Sequence, residues 1–211
     1  MSFFYKEEKF NSAVNGELVL RKFWDGSWIL KIPEGENYSS TYLSDMWKKS
    51  LKKVRKLKFS KVLILGSGAG CGVDQVHKFF PEAEIQAVDY DPMIMAVGQK
   101  IFKYFDQTPL ISFFVSEAQK FIENSKEQYD LILIDLFVGN TISPLVKNED
   151  FVQCLKDKTL DGAVIIINAA SHLTGVDQKI FITWREKFSY FKTFSFYSNK
   201  LILVEKRPKK D

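Results

Sequence analysis

Two kinds of residue in this sequence could act together chemically: a run of closely spaced glycines, and two aspartates that each follow an apolar stretch. Glycine alternates with small residues over 66–72, Asp89 follows the apolar run 85–88, and Asp135 follows the run 129–134. Because glycine has no Cβ, its backbone N–H groups can come close to a ligand. A carboxylate can accept hydrogen bonds from hydroxyl groups or take a proton from an amine. The pattern therefore predicts a ligand site next to a group that can move a proton.

The glycine spacing selects among nucleotide-type ligands. Gly66, Gly68 and Gly70 form G-x-G-x-G, and Asp89 follows about 20 residues further on. A carboxylate at that place can accept hydrogen bonds from both ribose hydroxyls of an adenosine. The nicotinamide fingerprint fails because Cys71 fills its third glycine position, and the Gly-Lys-Ser/Thr ending of a P-loop is absent. Nicotinamide binding and a glycine turn without a ligand remain the alternatives.

The elements that must position these residues predict an α/β fold. The apolar runs 62–65 and 85–88 flank a helix, as in a right-handed βαβ unit, which puts Asp89 beside the glycine turn. Further strands are expected at 111–115, 129–134, 163–167, 192–197 and 201–204. Only three residues join the last two strands, so they must be antiparallel. We predict a Rossmann-like seven-stranded sheet whose last strand is antiparallel.

Two further elements precede the sheet. Residues 17–32 predict a β-hairpin that turns at Asp25-Gly26, so we divide the chain into an N-terminal hairpin unit over 1–38 and a sheet domain over 39–211. Residues 39–57 predict a helix with apolar residues at spacings of three and four, and with lysines on the opposite face. The chain also predicts a helix over 145–156 and another over 177–188.

Charge and composition limit the class of protein. Eight basic residues and no acid lie within 48–61, although the net charge of the chain is only +4. A solvated polar face is the simpler interpretation of this basic helix, and nucleic-acid binding is the alternative. No apolar run approaches the roughly 20 residues of a membrane span, and the N-terminus has no secretory apolar region. The two cysteines form no zinc or disulfide pattern, so we expect a cytoplasmic protein without a metal site.

Together these motifs resemble the class I S-adenosylmethionine-dependent methyltransferase superfamily, and within it the spermidine-synthase-like branch. The likeness covers most of residues 15–205 and rests on the hairpin and the segments LGSGAG, VDYDP, YDLILID and DGAVIIIN. It implies S-adenosylmethionine, or its decarboxylated form, as the donor, and a homodimer through the N-terminal hairpin would fit the branch. The implied donor-binding residues are Gly66, Ser67, Gly68, Gly70, Asp89, Tyr90, Glu117, Ala118 and Asp135.

Several of these positions keep two interpretations. The resemblance puts Glu117 near the adenine amino group, but a glutamate in the first turn of a helix also favours the helix dipole. Asp135 is the predicted catalytic residue, which takes a proton from an acceptor amine or positions the acceptor; alternatively it caps local backbone amides. Asp91 precedes Pro92 and is predicted to be a structural helix cap.

Fewer residues are predicted for the acceptor side than for the donor side. Asn168 follows a core strand and either orients the substrate or satisfies a turn. Tyr38, Tyr42 and His172 are candidates for the wall of an acceptor pocket.

The segment after Asp135 guides the choice between two reactions. In the aminopropyltransferases that the sequence resembles, a second aspartate and a proline follow, whereas this chain has Val138 and Gly139 there. It also lacks the tyrosine-histidine-glutamate cluster of that family. We therefore expect a methyltransferase with an unknown acceptor. A polyamine aminopropyltransferase that uses decarboxylated S-adenosylmethionine is the second hypothesis, and a non-catalytic fold that binds a nucleoside or a partner is the third.

Overall fold

The computed structural model describes residues 5–32, 37–139, 141–170 and 177–207. The described strands are β1 (Tyr5–Ser12), β2 (Gly16–Phe23), β3 (Trp28–Lys31), β4 (Asn37–Ser39), β5 (Lys61–Leu65), β6 (Glu84–Asp89), β7 (Ile111–Val115), β8 (Tyr129–Ile134), β9 (Phe137–Val138), β10 (Thr141–Ile142), β11 (Thr159–Ala170), β12 (Tyr190–Phe196) and β13 (Asn199–Glu205). The described α-helices are α1 (Ser40–Leu51), α2 (Cys71–Phe79), α3 (Pro92–Ile101), α4 (Ala118–Asn124), α5 (Glu149–Asp157) and α6 (Gln178–Lys187).

Seven strands form the main sheet in the order β12-β13-β11-β8-β5-β6-β7. β5 pairs in parallel with β6 and β8, and β13 pairs antiparallel with β11 and β12. The predicted fold class, a Rossmann-like sheet with its last strand antiparallel, is therefore confirmed. The carboxyl ends of β5, β6, β8 and β11 meet at one edge of the sheet, where ligands bind in open α/β folds.

The central strands are apolar because both faces of the sheet are covered. Val62, Leu63, Ile64 and Leu65 of β5 are all buried. Alternate residues of this strand belong to two separate apolar clusters, one with α1 and α2 and the other with α4, α5 and α6. This burial on both sides explains why the strands read as continuous apolar runs.

The N-terminal segment forms its own antiparallel sheet, β1-β2-β3-β4. The predicted hairpin over 17–32 is confirmed by β2 and β3, with Gly26 at a φ of 83° in the turn. The sequence did not predict β1, because half of the residues of this strand are charged and most are exposed, so it lacks a clear apolar alternation. Apolar residues of β2 and β3 pack against Ala69 and Cys71 of the glycine turn and against Ile94 of α3. The N-terminal sheet thus covers the back of the predicted ligand site.

Three predicted helices have different bounds in the structure. The helix expected over 39–57 ends at Leu51, and turns with i−3 hydrogen bonds continue to Leu57, which is 45% exposed. Lysines four residues apart, such as Lys48 and Lys52, repel each other and disfavour a longer helix. The helix expected over 145–156 splits into a 3₁₀ turn and α5, because Asn148 caps α5. The last predicted helix is α6, with Asp177 as its cap.

The basic residues of 48–61 lie mainly on the outer surface. Seven of the eight are exposed, and Lys61 instead pairs with Glu84 and Glu127. Lys49 and Lys53 lie over the rings of Phe196 and Phe194 of β12. Within the described residues, none of the helices is both long enough and apolar enough to cross a membrane.

Asp91 joins the N-terminal sheet to the main domain. Its Oδ1 accepts hydrogen bonds from the N–H groups of Met93 and Ile94, at 2.8 and 3.3 Å, which caps α3 as predicted. Its Oδ2 accepts from Ser12 Oγ at the end of β1 and from Asn15 Nδ2 in the turn between β1 and β2, both at 2.6 Å. Asp91 is fully buried, so these four donors offset the loss of its hydration.

We expect Asp91→Ala to lower the free energy of unfolding by about 2–4 kcal/mol, since it removes a helix cap and two hydrogen bonds to a buried charge. Urea denaturation measures this loss. Asn148→Ala is the matched control, because Asn148 caps α5 through Phe151 N alone and should cost about 1 kcal/mol. Equal losses in the two variants would show that Asp91 does not stabilise the contact with the N-terminal sheet.

Candidate functional site

The glycine turn lies between β5 and α2 and touches the end of β8. Gly66 has a φ of 79°, and a Cβ there would collide with the backbone carbonyl oxygen of Asp135. The N–H groups of Gly66 and Ser67 both donate to Val88 O, at 2.9 and 3.0 Å. Gly70 has a φ of 89° and precedes the first turn of α2. The turn is therefore fixed by strand ends on both sides, with the N-terminus of α2 behind it.

Asp89 ends β6 and reaches the glycine turn. Its Oδ2 accepts from the N–H of Gly68 at 2.8 Å, and its Oδ1 accepts from the N–H of Asp91 at 3.1 Å. Burial raises the pKa of Asp89 above its usual value, while these backbone bonds oppose the rise. Each carboxylate oxygen keeps further acceptor capacity, so hydroxyls of a ligand can still bind.

Ser67 has an unusual environment inside the turn. The residue is only 6% exposed, and its Oγ has no hydrogen-bond partner among the described residues. Buried hydroxyl groups nearly always have a partner, because an unsatisfied one costs free energy. A ligand with polar groups that enters the glycine turn would satisfy this oxygen.

Asp135 follows β8 and is partly buried. Its Oδ1 accepts a hydrogen bond from Asn168 Nδ2 at 3.0 Å, and the indole of Trp47 bonds to the same carboxylate. Burial raises the pKa of Asp135 to about 6; the bonds from Asn168 and Trp47 oppose the rise, and the negative charge of Asp89 adds to it. A carboxyl group with such a pKa is well suited to accept a proton near neutral pH.

Asn168 continues into a chain of hydrogen bonds that ends at the rim of the site. Asn199 Nδ2 donates to Asn168 Oδ1 at 3.0 Å, and the Tyr42 hydroxyl donates to Asn199 Oδ1 at 2.6 Å. The ring of Tyr42 packs against Phe196 and Tyr197, with centroids 5.3 and 6.1 Å away. Tyr197, in the turn before β13, is 82% exposed and has a φ of 46°.

The carboxyl edge carries a net negative charge around these groups. Among the described residues, no lysine or arginine forms an ion pair with Asp89 or Asp135. Cys71 lies close to Asp135, and its thiol stays neutral because burial raises its pKa to about 12. The two aspartates are therefore stabilised by neutral donors only, which favours a positively charged ligand.

The other predicted site residues differ in how exposed they are and in how much of them the structure describes. Tyr90 is 43% exposed beside Asp89, and Ala118 is buried in the first turn of α4. Glu117 is exposed, and its carboxylate pairs with Lys120 at 2.9 Å without capping α4 through its side chain. For Tyr38 only the backbone, in β4, is described, and His172 lies outside the described residues.

Two residues of the site were not predicted from the sequence. Trp47 was assigned only to the apolar face of a helix, although its indole N–H reaches Asp135. Asn199 was assigned to a loop between strands, whereas it is the first residue of β13 and is 6% exposed. An asparagine two residues before the apolar run 201–204 is the sequence signal that could have identified it.

Curated proteins similar to this chain are named polyamine aminopropyltransferases. The chain is 29% identical over 119 residues to Polyamine aminopropyltransferase 2 of Aquifex aeolicus, covering 53% of this chain and 24% of that protein. It is 25% identical over 137 residues to a polyamine aminopropyltransferase of Vibrio vulnificus, covering 64% of this chain and 45% of that protein. The chain thus spans between a quarter and a half of the length of these curated relatives.

The fold has solved counterparts. The crystal structure of a probable spermidine synthase from Corynebacterium glutamicum superposes with a TM-score of 0.75 at 13% identity, covering 94% of this chain and 79% of that chain. A likeness at this level of identity concerns the fold alone.

The family assignment corrects the expected reaction class. The model of the family described as "Spermine/spermidine synthase domain" matches residues 42–199, which is most of the chain. Together with the aminopropyltransferase names of the relatives, this match contradicts the expectation of a methyltransferase. The expectation relied on Val138 and Gly139 after β8, which fill the places where a second aspartate and a proline were expected of an aminopropyltransferase. The chain belongs to the spermine/spermidine synthase family.

Proposed function

We propose that this chain binds decarboxylated S-adenosylmethionine and transfers its aminopropyl group to an amine. The observation that carries the proposal is the pair Asp89 and Asp135, which lie at one sheet edge without a basic partner among the described residues. The decarboxylated donor has a sulfonium and an ammonium group and no carboxylate, so its charge complements this edge. The carboxylate of S-adenosylmethionine would add a third negative charge beside the two aspartates.

The donor side fits the nucleoside part of such a molecule. The turn over 66–70 has a positive φ at Gly66, Gly68 and Gly70, which exposes backbone N–H groups without a Cβ, and Asp89 keeps acceptor capacity for ribose hydroxyls. The buried Ser67 Oγ offers an unused hydrogen-bonding group inside the same turn. These features support binding of an adenosine moiety between the ends of β5 and β6.

Asp135 supports the transfer step itself. In an in-line displacement, the lone pair of the amine forms a bond to the propyl carbon attached to sulfur. The carbon–sulfur bond breaks, its electron pair stays on sulfur, and a neutral thioether nucleoside leaves. The amine must also lose a proton, which Asp135 accepts because burial raises its pKa to about 6. Positioning of amine and carbon provides most of the remaining rate enhancement.

The acceptor side is formed by the rim around Tyr42 and Tyr197, while Phe196 is buried behind Tyr42 with the Lys49 ammonium over its ring. Aromatic faces attract cations such as a protonated amine, while the Tyr42 hydroxyl is already bonded to Asn199. From Leu136 to Ile142, the described residues contribute apolar and neutral polar groups only. Both monoamines and polyamines therefore belong in an acceptor panel.

We expect mass spectrometry to detect aminopropylated product when the decarboxylated donor is mixed with a panel of mono-, di- and triamines. Calorimetry should give tighter binding of the decarboxylated donor than of S-adenosylmethionine.

Asp89→Ala should weaken donor binding at least tenfold, since hydrogen bonds to a charged group are worth about 1.5–3 kcal/mol each. Asp91→Ala is the neighbouring control and should leave the affinity of the folded protein nearly unchanged.

Methylated product from S-adenosylmethionine, with none from the decarboxylated donor, would contradict this proposal. Binding of neither sulfonium compound would contradict it as well.

We also expect Asp135→Asn to be more stable than the unchanged protein at pH 7.5. The pKa of Asp135 is about 6 in the folded chain, against an ordinary value of 3.8, so the folded state binds the extra proton between about pH 4 and 6. Stability is therefore lost as the pH rises through this window, by roughly 1–3 kcal/mol in total. The amide side chain of the variant carries no charge and avoids the loss. Urea denaturation at pH 4.5 and 7.5 measures the difference between the two proteins.

Asp130→Asn is the matched control for this substitution. Asp130 accepts hydrogen bonds from the N–H groups of Ser60 and Lys61, away from the site, at 2.6 and 3.1 Å. Its replacement should bring no gain in stability at pH 7.5. A gain for Asp135→Asn that did not depend on pH would contradict the electrostatic explanation.

A further inference from the structure

The chain of hydrogen bonds behind Asp135 has one consistent direction. Tyr42 donates to the oxygen of Asn199, Asn199 donates to the oxygen of Asn168, and Asn168 donates to Asp135. Reversing either amide would put two donors or two acceptors face to face. The chain therefore fixes which group Asn168 presents to the carboxylate: an N–H donor and not a carbonyl oxygen.

The two asparagines are buried and belong to different strands. Asn168 is 3% exposed in β11, and Asn199 is 6% exposed at the start of β13. The pairing of β11 with β13 shifts its register between Asn168 and Ala170, so the strand is irregular at this point. Apolar residues would fill these positions at a lower desolvation cost. Neither asparagine caps a described helix, and their side chains bond within this network, with one further contact from Asn199 to Met46 Sδ.

We propose that Asn168 and Asn199 are positioning residues, which hold the Asp135 carboxylate in the orientation that receives the proton of the attacking amine. This inference rests on the proposed aminopropyl transfer, and it names residues outside the donor-binding turn that control the step. The chain of hydrogen bonds begins at the aromatic rim where the acceptor is expected and ends at the carboxylate. An acceptor amine that contacts Tyr42 while it gives its proton to Asp135 would thus touch the first and the last residue of this chain of hydrogen bonds.

The groups around Asp135 allow this role to be tested by titration. The described titratable groups that interact with it are Asp89, whose charge favours protonation of Asp135, and the neutral thiol of Cys71. Tyr42 lies at the far end of the chain of hydrogen bonds. Neutral donors, from Asn168 and Trp47, are what stabilise the ionised form. Loss of the Asn168 donor should therefore raise the pKa of Asp135 further.

The experiment compares pH profiles of aminopropyl transfer in the unchanged protein and in Asn168→Ala, Asn199→Ala and Tyr42→Phe. We expect the acidic limb of kcat to move to higher pH by about 1 unit in Asn168→Ala, and by less in the other two, because they act through Asn168. The KM for the donor should stay the same. Carbon-13 NMR titration of the Asp135 carboxyl in the same variants should show the same order of shifts, and it does not require turnover.

Asn148→Ala is the control for a purely structural effect, since it removes the cap of α5 and should leave the acidic limb in place. The positioning role would be overturned if the variants that fold kept both the acidic limb of the kcat profile and the Asp135 pKa of the unsubstituted protein. If the unchanged protein makes no aminopropylated product but the Asp135 titration moves as expected, the proposed function fails and the coupling through Asn168 stands. If Asn168→Ala does not fold, the acidic limb of kcat and the carbon-13 titration of Asp135 in Asn199→Ala and Tyr42→Phe test the positioning role instead.

Discussion

The close contact between Gly66 and the backbone of Asp135 is the constraint on which the site depends. Only a residue without Cβ, and at a positive φ, lets the end of β5 turn directly against the end of β8. That contact brings the glycine turn, where we propose that the nucleoside binds, next to the carboxylate that we propose receives the proton of the acceptor. The same turn is held from the other side by α3, where Gly98 lies against the backbone of Ala69. Donor and acceptor groups are thus brought together by backbone packing and need no flexible side chain.

The second general feature is that the site leaves negative charge without a basic partner in the described residues. Burial raises the pKa of both Asp89 and Asp135, and the charge of Asp89 adds to the rise at Asp135. A folded protein tolerates such an arrangement when neutral donors satisfy the carboxylates and a cationic ligand completes the site. Under the proposed function, binding of a sulfonium and an ammonium group would regain the free energy that folding loses at this edge. The stability of the free protein is therefore linked to the charge of its ligand.

The sequence was sufficient for the sheet and for placing the glycine turn beside Asp89 at its carboxyl edge, because both depend on local patterns. The apolar runs of β5, β6 and β8 end in glycine or aspartate, and these endings specify the carboxyl edge. The acceptor side depends on contacts between distant residues, such as Tyr42 with Asn199, and no spacing rule predicts such contacts. Strand β1, half of whose residues are charged, was missed because its pairing with β2 outweighed its local pattern. The early end of α1 was missed because repulsion between lysines four residues apart was not weighed against the apolar spacing. The reaction class was mispredicted because one segment, after Asp135, was weighed against the whole family pattern.

Carbon-13 NMR titration of the Asp135 carboxyl, in the free protein and with ligands of different charge, tests the central claim most directly. We predict a pKa near 6 in the free protein. This pKa should fall when the doubly cationic decarboxylated donor binds, and change much less when neutral methylthioadenosine binds, since only the former offsets the charge of the carboxylate. A free-protein pKa near the ordinary aspartate value, or one that the cationic donor leaves unchanged, would contradict the claim.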